Sequence, residues 1–269
     1  MKKVIIVSAS SDIGTALCRK YIDKGYEVYG TYRTKSQATD SLKSLGVKLH
    51  HCDLTDKENV LSTCISLRSV LWDLIVFCPG TQLPIGKFQD CGFDKWAESV
   101  NINFVSQMRF LHSILPFRKP GARCIFFAGG GTNNAPTHYS AYIVSKIALI
   151  KMVEILDAEI PDMTFAIMGP GWVKTKIHHA TLDAGLVAGT NYLRTVERLQ
   201  GDNLTPMKTV VECCEWIESA PRRSVGGRNI SLVDDPWGTP DLNLNLECNP
   251  NMFKLRRYKN TISLEGIGM

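Results

Sequence analysis

Tyr142 and Lys146, in the run Tyr142-Ile143-Val144-Ser145-Lys146, stand four residues apart in a stretch that reads as helix. Side chains at i and i+4 share a helix face, so the phenol and the ammonium are brought together. A nearby lysine cation favours the ionised form of a phenol, whose ordinary pKa is about 10. The pair is therefore expected to give a proton to a carbonyl, or to take one from an alcohol, near neutral pH. The helix that must carry it runs from Ala141 through Ala148 to Ile155 and Leu156, with the apolar spacing of a buried amphipathic helix. Many helices hold a tyrosine and a lysine at this spacing by chance, so the weight of the pair comes from what precedes it.

The first thirty-three residues read as strand, turn, helix and strand. Lys3-Val4-Ile5-Ile6-Val7 is a β-branched run suited to a central parallel strand. The small-residue turn Ser8-Ala9-Ser10-Ser11-Asp12-Ile13-Gly14 follows, then helical spacing from Thr15 to Lys24, a stop at Gly25 and a strand at Tyr26-Glu27-Val28-Tyr29. A turn that opens a helix offers backbone N–H groups to a phosphate, with the positive end of the helix dipole behind them. The plainer alternative is a helix N-capped by Ser or Asp.

Taken together, these segments resemble the short-chain dehydrogenase/reductase family in its single-domain form, over nearly the whole chain up to Asp235. The turn Val7-Ser8-Ala9-Ser10-Ser11-Asp12-Ile13-Gly14 is similar to the family's T-G-A-S-S-G-I-G. Asp53-Leu54 resembles the acidic-aliphatic pair that holds the adenine, and Phe77-Cys78-Pro79-Gly80 stands where N-N-A-G is common. Asn103 resembles the active-site helix asparagine. Pro170-Gly171-Trp172-Val173-Lys174-Thr175 resembles the P-G-x-x-x-T stretch over the nicotinamide, in which Pro170, Gly171, Val173 and Thr175 would touch the cofactor. The resemblance implies an α/β fold: a Rossmann-type doubly wound parallel sheet with helices on both faces.

Two departures stand out. Ser8 and Asp12 replace two glycines of the turn; the Asp12 carboxylate is expected to turn back and cap the helix, since an anion beside a pyrophosphate is unfavourable. The family's active-site serine is replaced by Gly129, inside Ala128-Gly129-Gly130-Gly131-Thr132. Thr132, the nearest hydroxyl in sequence, is expected to take over its role, with His138, Ser140 or a nest of glycine N–H groups as alternatives. Restoring the residue, Gly129→Ser, is expected to rescue a Thr132→Val enzyme at least partly.

At 269 residues and 44% hydrophobic content, one α/β domain with a full core is expected over residues 1–235, including a substrate lid at about 175–205. Strand and helix patterns alternate to about Pro221. The apolar stretch after Met1-Lys2-Lys3 is too short for a signal peptide, and no segment approaches a membrane span, so a cytoplasmic protein is expected. Nine cysteines, among them Cys78, Cys124 and Cys213-Cys214, read as reduced thiols, and no Cys/His spacing suggests a metal. His178-His179 reads as part of a surface loop.

A net charge of +5 gives no reason to expect nucleic-acid binding. Lys174, Lys176, His178 and His179 gather after the nicotinamide loop, and a cationic lid would suit a phosphate-bearing small-molecule substrate. The extension 236–269 contains Asp241-Leu242-Asn243-Leu244-Asn245-Leu246, whose alternation predicts a short edge strand. The extension is expected to pack across a neighbouring subunit or beside the substrate mouth.

The resemblance implies a reductase in which Tyr142 protonates a carbonyl, Lys146 lowers the tyrosine pKa and binds the ribose, and Asn103 holds a water. The cofactor is expected to be NADP(H). The second strand ends Tyr29-Gly30-Thr31-Tyr32-Arg33-Thr34, and Arg33 there, assisted by Lys35 or Ser10, can pair with a 2′-phosphate that an acidic residue would repel. The glycine variant, the basic lid and the tail resemble members from bacterial surface-polysaccharide pathways, which implies a nucleotide-linked keto-sugar. An epimerase or dehydratase using bound cofactor, and a non-catalytic dinucleotide sensor, are the alternatives. Apolar residues around much of the helices bearing Asn103 and Tyr142 (Phe104, Met108, Phe110, Leu111, Ile114 and Leu115; Ile147, Ile150, Met152 and Val153) predict a homodimer or homotetramer.

Overall fold

The computed structural model describes residues 1–201 and 203–257. Seven strands form one sheet: β1 (Lys3–Val7), β2 (Glu27–Tyr32), β3 (Lys48–His51), β4 (Trp72–Phe77), β5 (Arg118–Phe127), β6 (Thr164–Gly169) and β7 (Asn229–Ser231). Their order is β3-β2-β1-β4-β5-β6-β7, and every pairing is parallel. The chain winds outward from β1 to β3 and returns to the other side of β1 at β4. That reversal opens a crevice beyond the carboxyl ends of β1 and β4, where an open α/β sheet binds ligands. Val7 is in register with Phe77, Phe77 with Phe126, and Phe127 with Met168, so the strand ends that face this crevice are level.

Alternation along the strands divides the core in two. Val4 and Ile6 of β1 pack on one face of the sheet with Leu17, Cys18 and Tyr21 of α1 (Asp12–Asp23). Ile5 and Val7 pack on the other face with Phe110 and Ile114 of α5 (Ser106–Ile114) and with Leu149 and Val153 of α6 (Ser140–Glu159). Successive side chains of a strand point to opposite faces, so a central strand buried on both sides must be apolar throughout. Among the residues expected at a second apolar face, Phe110, Leu111, Ile114, Ile150 and Val153 lie in this core. Phe104, Met108, Leu115, Ile147 and Met152 pack partly against it. No helix among the described residues is long and apolar enough to cross a membrane.

The strand–helix alternation continues past the expected limit at Pro221, because β7 adds a seventh strand beside β6. The expected edge strand at Asp241–Leu246 is instead a helix, α11 (Pro240–Cys248). Thr239 caps it by accepting from the N–H of Leu242, and Pro240 occupies the first turn, where its fixed φ suits a helix. Leu242 and Leu246 are as much an i,i+4 pair as an alternating one; both are buried while Leu244 is 62% exposed. Arg228, 3% exposed, anchors this extension. Its guanidinium donates to the carbonyls of Asn249, at 3.1 Å, and of Met252, Leu246 and Arg223. The N–H of Asn229 donates to Phe253 O at 2.9 Å, and Arg256 pairs with Glu154 of α6. Residues 258–269 of the extension lie outside the described residues.

Arg228→Met would leave several carbonyls without their donor. It is expected to cost about 2–4 kcal/mol in chemical denaturation and to make residues 240–257 sensitive to protease. Wild-type resistance to protease would show that the extension is held without Arg228.

Candidate active site

The turn after β1 is built to bring a helix end close to the sheet. Ser8 adopts a left-handed φ of 62°, the N–H of Ser8 donates to Thr31 Oγ1, and that of Ala9 donates to Thr31 O. A Cβ on Gly14 would lie 2.4 Å from the Ser8 carbonyl oxygen, so only glycine permits the contact between α1 and the turn. The expected cap does not come from Asp12. Ser11 Oγ accepts from the N–H of Gly14 at 3.1 Å, whereas Asp12 Oδ2 accepts from the backbone N–H of Lys176 at 2.7 Å. Ser11, one residue earlier, already satisfies the helix donor and frees the Asp12 carboxylate to point outward. The N–H groups of Asp12 and Ile13, at the start of α1, have no intrahelical acceptor, as suits an anion site.

One cavity of about 1100 Å³ begins at Ser11, Asp12 and Ile13, passes Cys78, Pro79 and Gly80, and reaches Tyr142, Lys146 and the segment 169–173. Pro170, Gly171, Val173, Thr175 and Thr132 line it as well. Ser8, Ser10 and Gly14 belong to the turn beneath its first end. Arg33 and Lys35 are exposed beyond the end of β2. Asp53, after β3, accepts from the N–H and Oγ1 of Thr55, while Leu54 is buried in the core and its carbonyl accepts from Ser106. Partial burial opposes ionisation of Asp53, yet the Thr55 hydrogen bonds and the nearby Arg33 cation hold its carboxyl below the usual value.

Asn103 is fully buried in a turn of π-helix, Asn101–Val105, between α4 (Phe93–Val100) and α5. Its Oδ1 accepts from the Thr81 N–H and its Nδ2 donates to the Thr81 carbonyl, both at 2.9 Å. This pair of bonds fixes the loop that follows β4. Lys146 is 3% exposed and donates to Phe127 O at 2.9 Å and Pro79 O at 3.4 Å. Its Nζ lies 5.8 Å from the centre of the Tyr142 ring.

Burial dominates the electrostatics of this pair. It pushes the Tyr142 phenol up to about 12 and the Lys146 ammonium down to about 8. The expected lowering of the tyrosine by the lysine is absent, because burial alone sets the direction of its shift. At neutral pH the phenol is therefore a protonated donor beside an ammonium close to its own titration point.

Gly129 faces Tyr142 directly. A Cβ at residue 129 would lie 2.7 Å from Tyr142 Oη and 2.8 Å from Cε1, closer than side chains pack. The tyrosine occupies the space a serine would take, so Gly129→Ser requires the ring to move. Of the three side chains considered in its stead, Thr132 is the one on the cavity wall. Ser140 Oγ accepts from Trp96 Nε1 at 2.9 Å, and the His138 ring bonds Thr137 and packs on Gly189. Among the described residues, the N–H groups of 129–132 have no backbone acceptor.

The segment expected to form a lid holds α7 (His179–Ala184) and α8 (Thr190–Gln200) with the short turns before them. His178 is buried rather than on a surface loop: its ring stacks on Trp172 at 4.9 Å and Nε2 lies 2.9 Å from Val173 O. His179 is exposed. Burial lowers the His178 pKa, favouring the neutral ring that stacks. Arg194 and Arg198 lie 5.9 and 5.8 Å from the Trp172 ring, and Arg194 also lines the cavity. The pair is spaced i,i+4, a signal the sequence did offer. The extension contributes Phe253, Lys254 and Leu255 to the same wall, which places it beside the site.

A short chain dehydrogenase profile matches residues 2–184, more than half of the chain. The chain belongs to the short chain dehydrogenase family. It is 28% identical over 104 residues to an uncharacterized oxidoreductase of Schizosaccharomyces pombe, covering 38% of this chain and 42% of that one. It is 23% identical over 195 residues to a 3-amino-tetrahydro-pyrrolizinone reductase of Xenorhabdus hominickii, covering 68% and 66%. The matched stretches thus span less than two thirds of either relative. A variant of actinorhodin polyketide ketoreductase, crystallised with NADPH, superposes with a TM-score of 0.73 at 18% identity over 86% of this chain and 95% of the other, a likeness of fold.

Within this site, Gly129→Ala is expected to cost about 1–3 kcal/mol through overpacking against Tyr142. Gly130→Ala, whose Cβ meets nothing within 4 Å, should stay within about 0.5 kcal/mol. In a Tyr142→Ala background the Gly129→Ala penalty should vanish; its persistence in denaturation curves would mean that another neighbour sets it.

The buried lysine predicts a pH effect of definite sign. With a folded pKa near 8 and an unfolded value near 10.5, the unfolded chain holds the extra proton between them, so this residue raises stability as pH rises through that window. Lys146→Met should therefore be more stable relative to wild type at pH 7 than at pH 10, by roughly 2–3 kcal/mol. Denaturation midpoints that differ equally at both pH values would refute the burial argument.

Proposed function

We propose that this chain is an NADP(H)-dependent reductase that converts a carbonyl to an alcohol. The observation that carries the reading is the continuity of one cavity from the free N–H groups of α1 to Tyr142 Oη, with the Lys146 ammonium beneath it. The helix end and the turn at Ser10 and Ser11 suit a diphosphate, Thr175 and Val173 suit a nicotinamide, and Arg33 suits a ribose 2′-phosphate. Bound NADPH would supply a hydride. Tyr142, protonated at neutral pH, gives its proton to the carbonyl oxygen, and Lys146 replenishes it. Thr132 and the free N–H groups of the glycine run polarise the carbonyl before transfer. The pyrrolizinone reductase relative and the ketoreductase crystallised with NADPH support this chemistry.

For the substrate we propose a phosphate-bearing carbonyl compound, with a nucleotide-linked keto-sugar as the leading candidate. The cavity exceeds the roughly 300–1,000 Å³ of ordinary ligand sites, leaving room beside a dinucleotide. Arg194 and Lys176 on its wall can pair with phosphate, whereas Asp234 and Asp235, which also line it, would repel one. The phosphate is therefore expected near α8.

Incubation with a panel of nucleotide-linked keto-sugars and uncharged ketones tests both levels. Consumption of NADPH with a two-hydrogen mass gain in a phosphate-bearing substrate is the expected result. Equal or tighter binding of NADH, or no selective loss of NADPH affinity in Arg33→Ala, would overturn the cofactor assignment. Dinucleotide binding without turnover of any substrate would favour a sensor, the reading that the absent serine supports. Full turnover in Tyr142→Phe would remove the tyrosine from the mechanism.

A further inference from the structure

The carboxylate of Asp12 stands where the family's turn carries a glycine, yet it does not serve the helix it begins. Ser11 makes the cap. Asp12 Oδ2 instead accepts from the main-chain N–H of Lys176 at 2.7 Å, and Oδ1 lies 3.7 Å from Lys176 Nζ. Among the described residues these are the only polar contacts between the turn 8–14 and the segment 175–200. The rest of that segment is fastened elsewhere. Thr181 bonds Gln82 and Tyr139, and Asn191 Nδ2 donates to Thr137 O. Asp12 and Lys176 both lie on the cavity wall beside the free N–H groups of α1.

We propose that Asp12 is a positioning residue: it fastens the first residue of the lid to the dinucleotide turn, so that the order of the lid and the occupancy of the turn are coupled. The carboxylate itself repels a diphosphate, so a glycine at this position would bind the cofactor more readily but leave the lid without its anchor. The main-chain bond, made through a charged acceptor, is the stronger of the two contacts. The ion pair joins an exposed lysine and contributes little. The coupling rests on the dinucleotide reading above, whereas the anchoring does not.

Limited proteolysis of the full chain, with and without NADPH, separates the two. Without cofactor, Asp12→Ala should be cleaved within 174–200 at least about 10-fold faster than wild type. Asp12→Asn, which keeps an oxygen for the Lys176 N–H, should stay within about 3-fold, and Lys176→Ala, which keeps the N–H, should behave as wild type. NADPH should protect the segment in wild type and Asp12→Asn but not in Asp12→Ala, while Asp12→Asn binds NADPH more tightly. Equal cleavage of Asp12→Ala and wild type overturns the anchor. Equal protection of the two by NADPH overturns the coupling. Binding of NADPH to no variant, with the cleavage contrast intact, would refute the dinucleotide reading and leave the anchor standing.

Discussion

The ammonium of Lys146 holds the carboxyl ends of two neighbouring strands together. Its bonds to Phe127 O, the last residue of β5, and Pro79 O, just after β4, tie α6 to the crevice at the level of the sheet edge. A cation so far from water is retained at a cost, visible in its lowered pKa, and the carbonyls are what make it tolerable. Tyr142, one turn earlier on the same helix, is thereby set in height and rotation. The loop after β4 is held from the other side by Asn103 through both main-chain polar groups of Thr81. The crevice is therefore defined by main-chain carbonyls and amides, which substitution cannot remove, rather than by side chains meeting side chains.

What local spacing encodes was legible in the sequence. The i,i+4 relation of Tyr142 and Lys146, the β-branched run into the turn at Ser8, and the order of the later motifs all rest on residues close in the chain, and they gave the parallel sheet and the cavity's main walls. What depends on distance through space was not legible. The contact of Tyr142 with Gly129 could not be read from a glycine appearing where a serine was expected, because the sequence says nothing about where the ring leans. Nor could the balance between burial and a neighbouring charge, which reversed the expected shift of the tyrosine. The stacking of His178 on Trp172 hides one histidine of a pair that looks uniformly polar.

The extension shows a different kind of ambiguity. Leu242, Leu244 and Leu246 satisfy a strand's period of two, and the outer pair also satisfies a helix's period of about four. Local chemistry decides between them: Thr239 and Pro240 start a helix, and Arg228 collects the carbonyls that follow. A three-residue strand such as β7 lies below any periodicity signal, and it exists because β6 offers it a partner edge.

The involvement of Phe253, Lys254 and Leu255 in the cavity wall has a consequence for biogenesis. Residues as early as Ser11 and as late as Leu255 enclose the same space, so a nascent chain emerging from its N-terminus can build β1 to β6 and their helices while the chamber remains unfinished. Arg228 meets three of its four acceptors only when residues 246–252 have left the ribosome. Until then a charged guanidinium, destined for burial, and an open apolar crevice face solvent or a chaperone together. The chamber is thus among the last parts of the molecule to close during synthesis, although the helix that carries its tyrosine and lysine is translated far earlier.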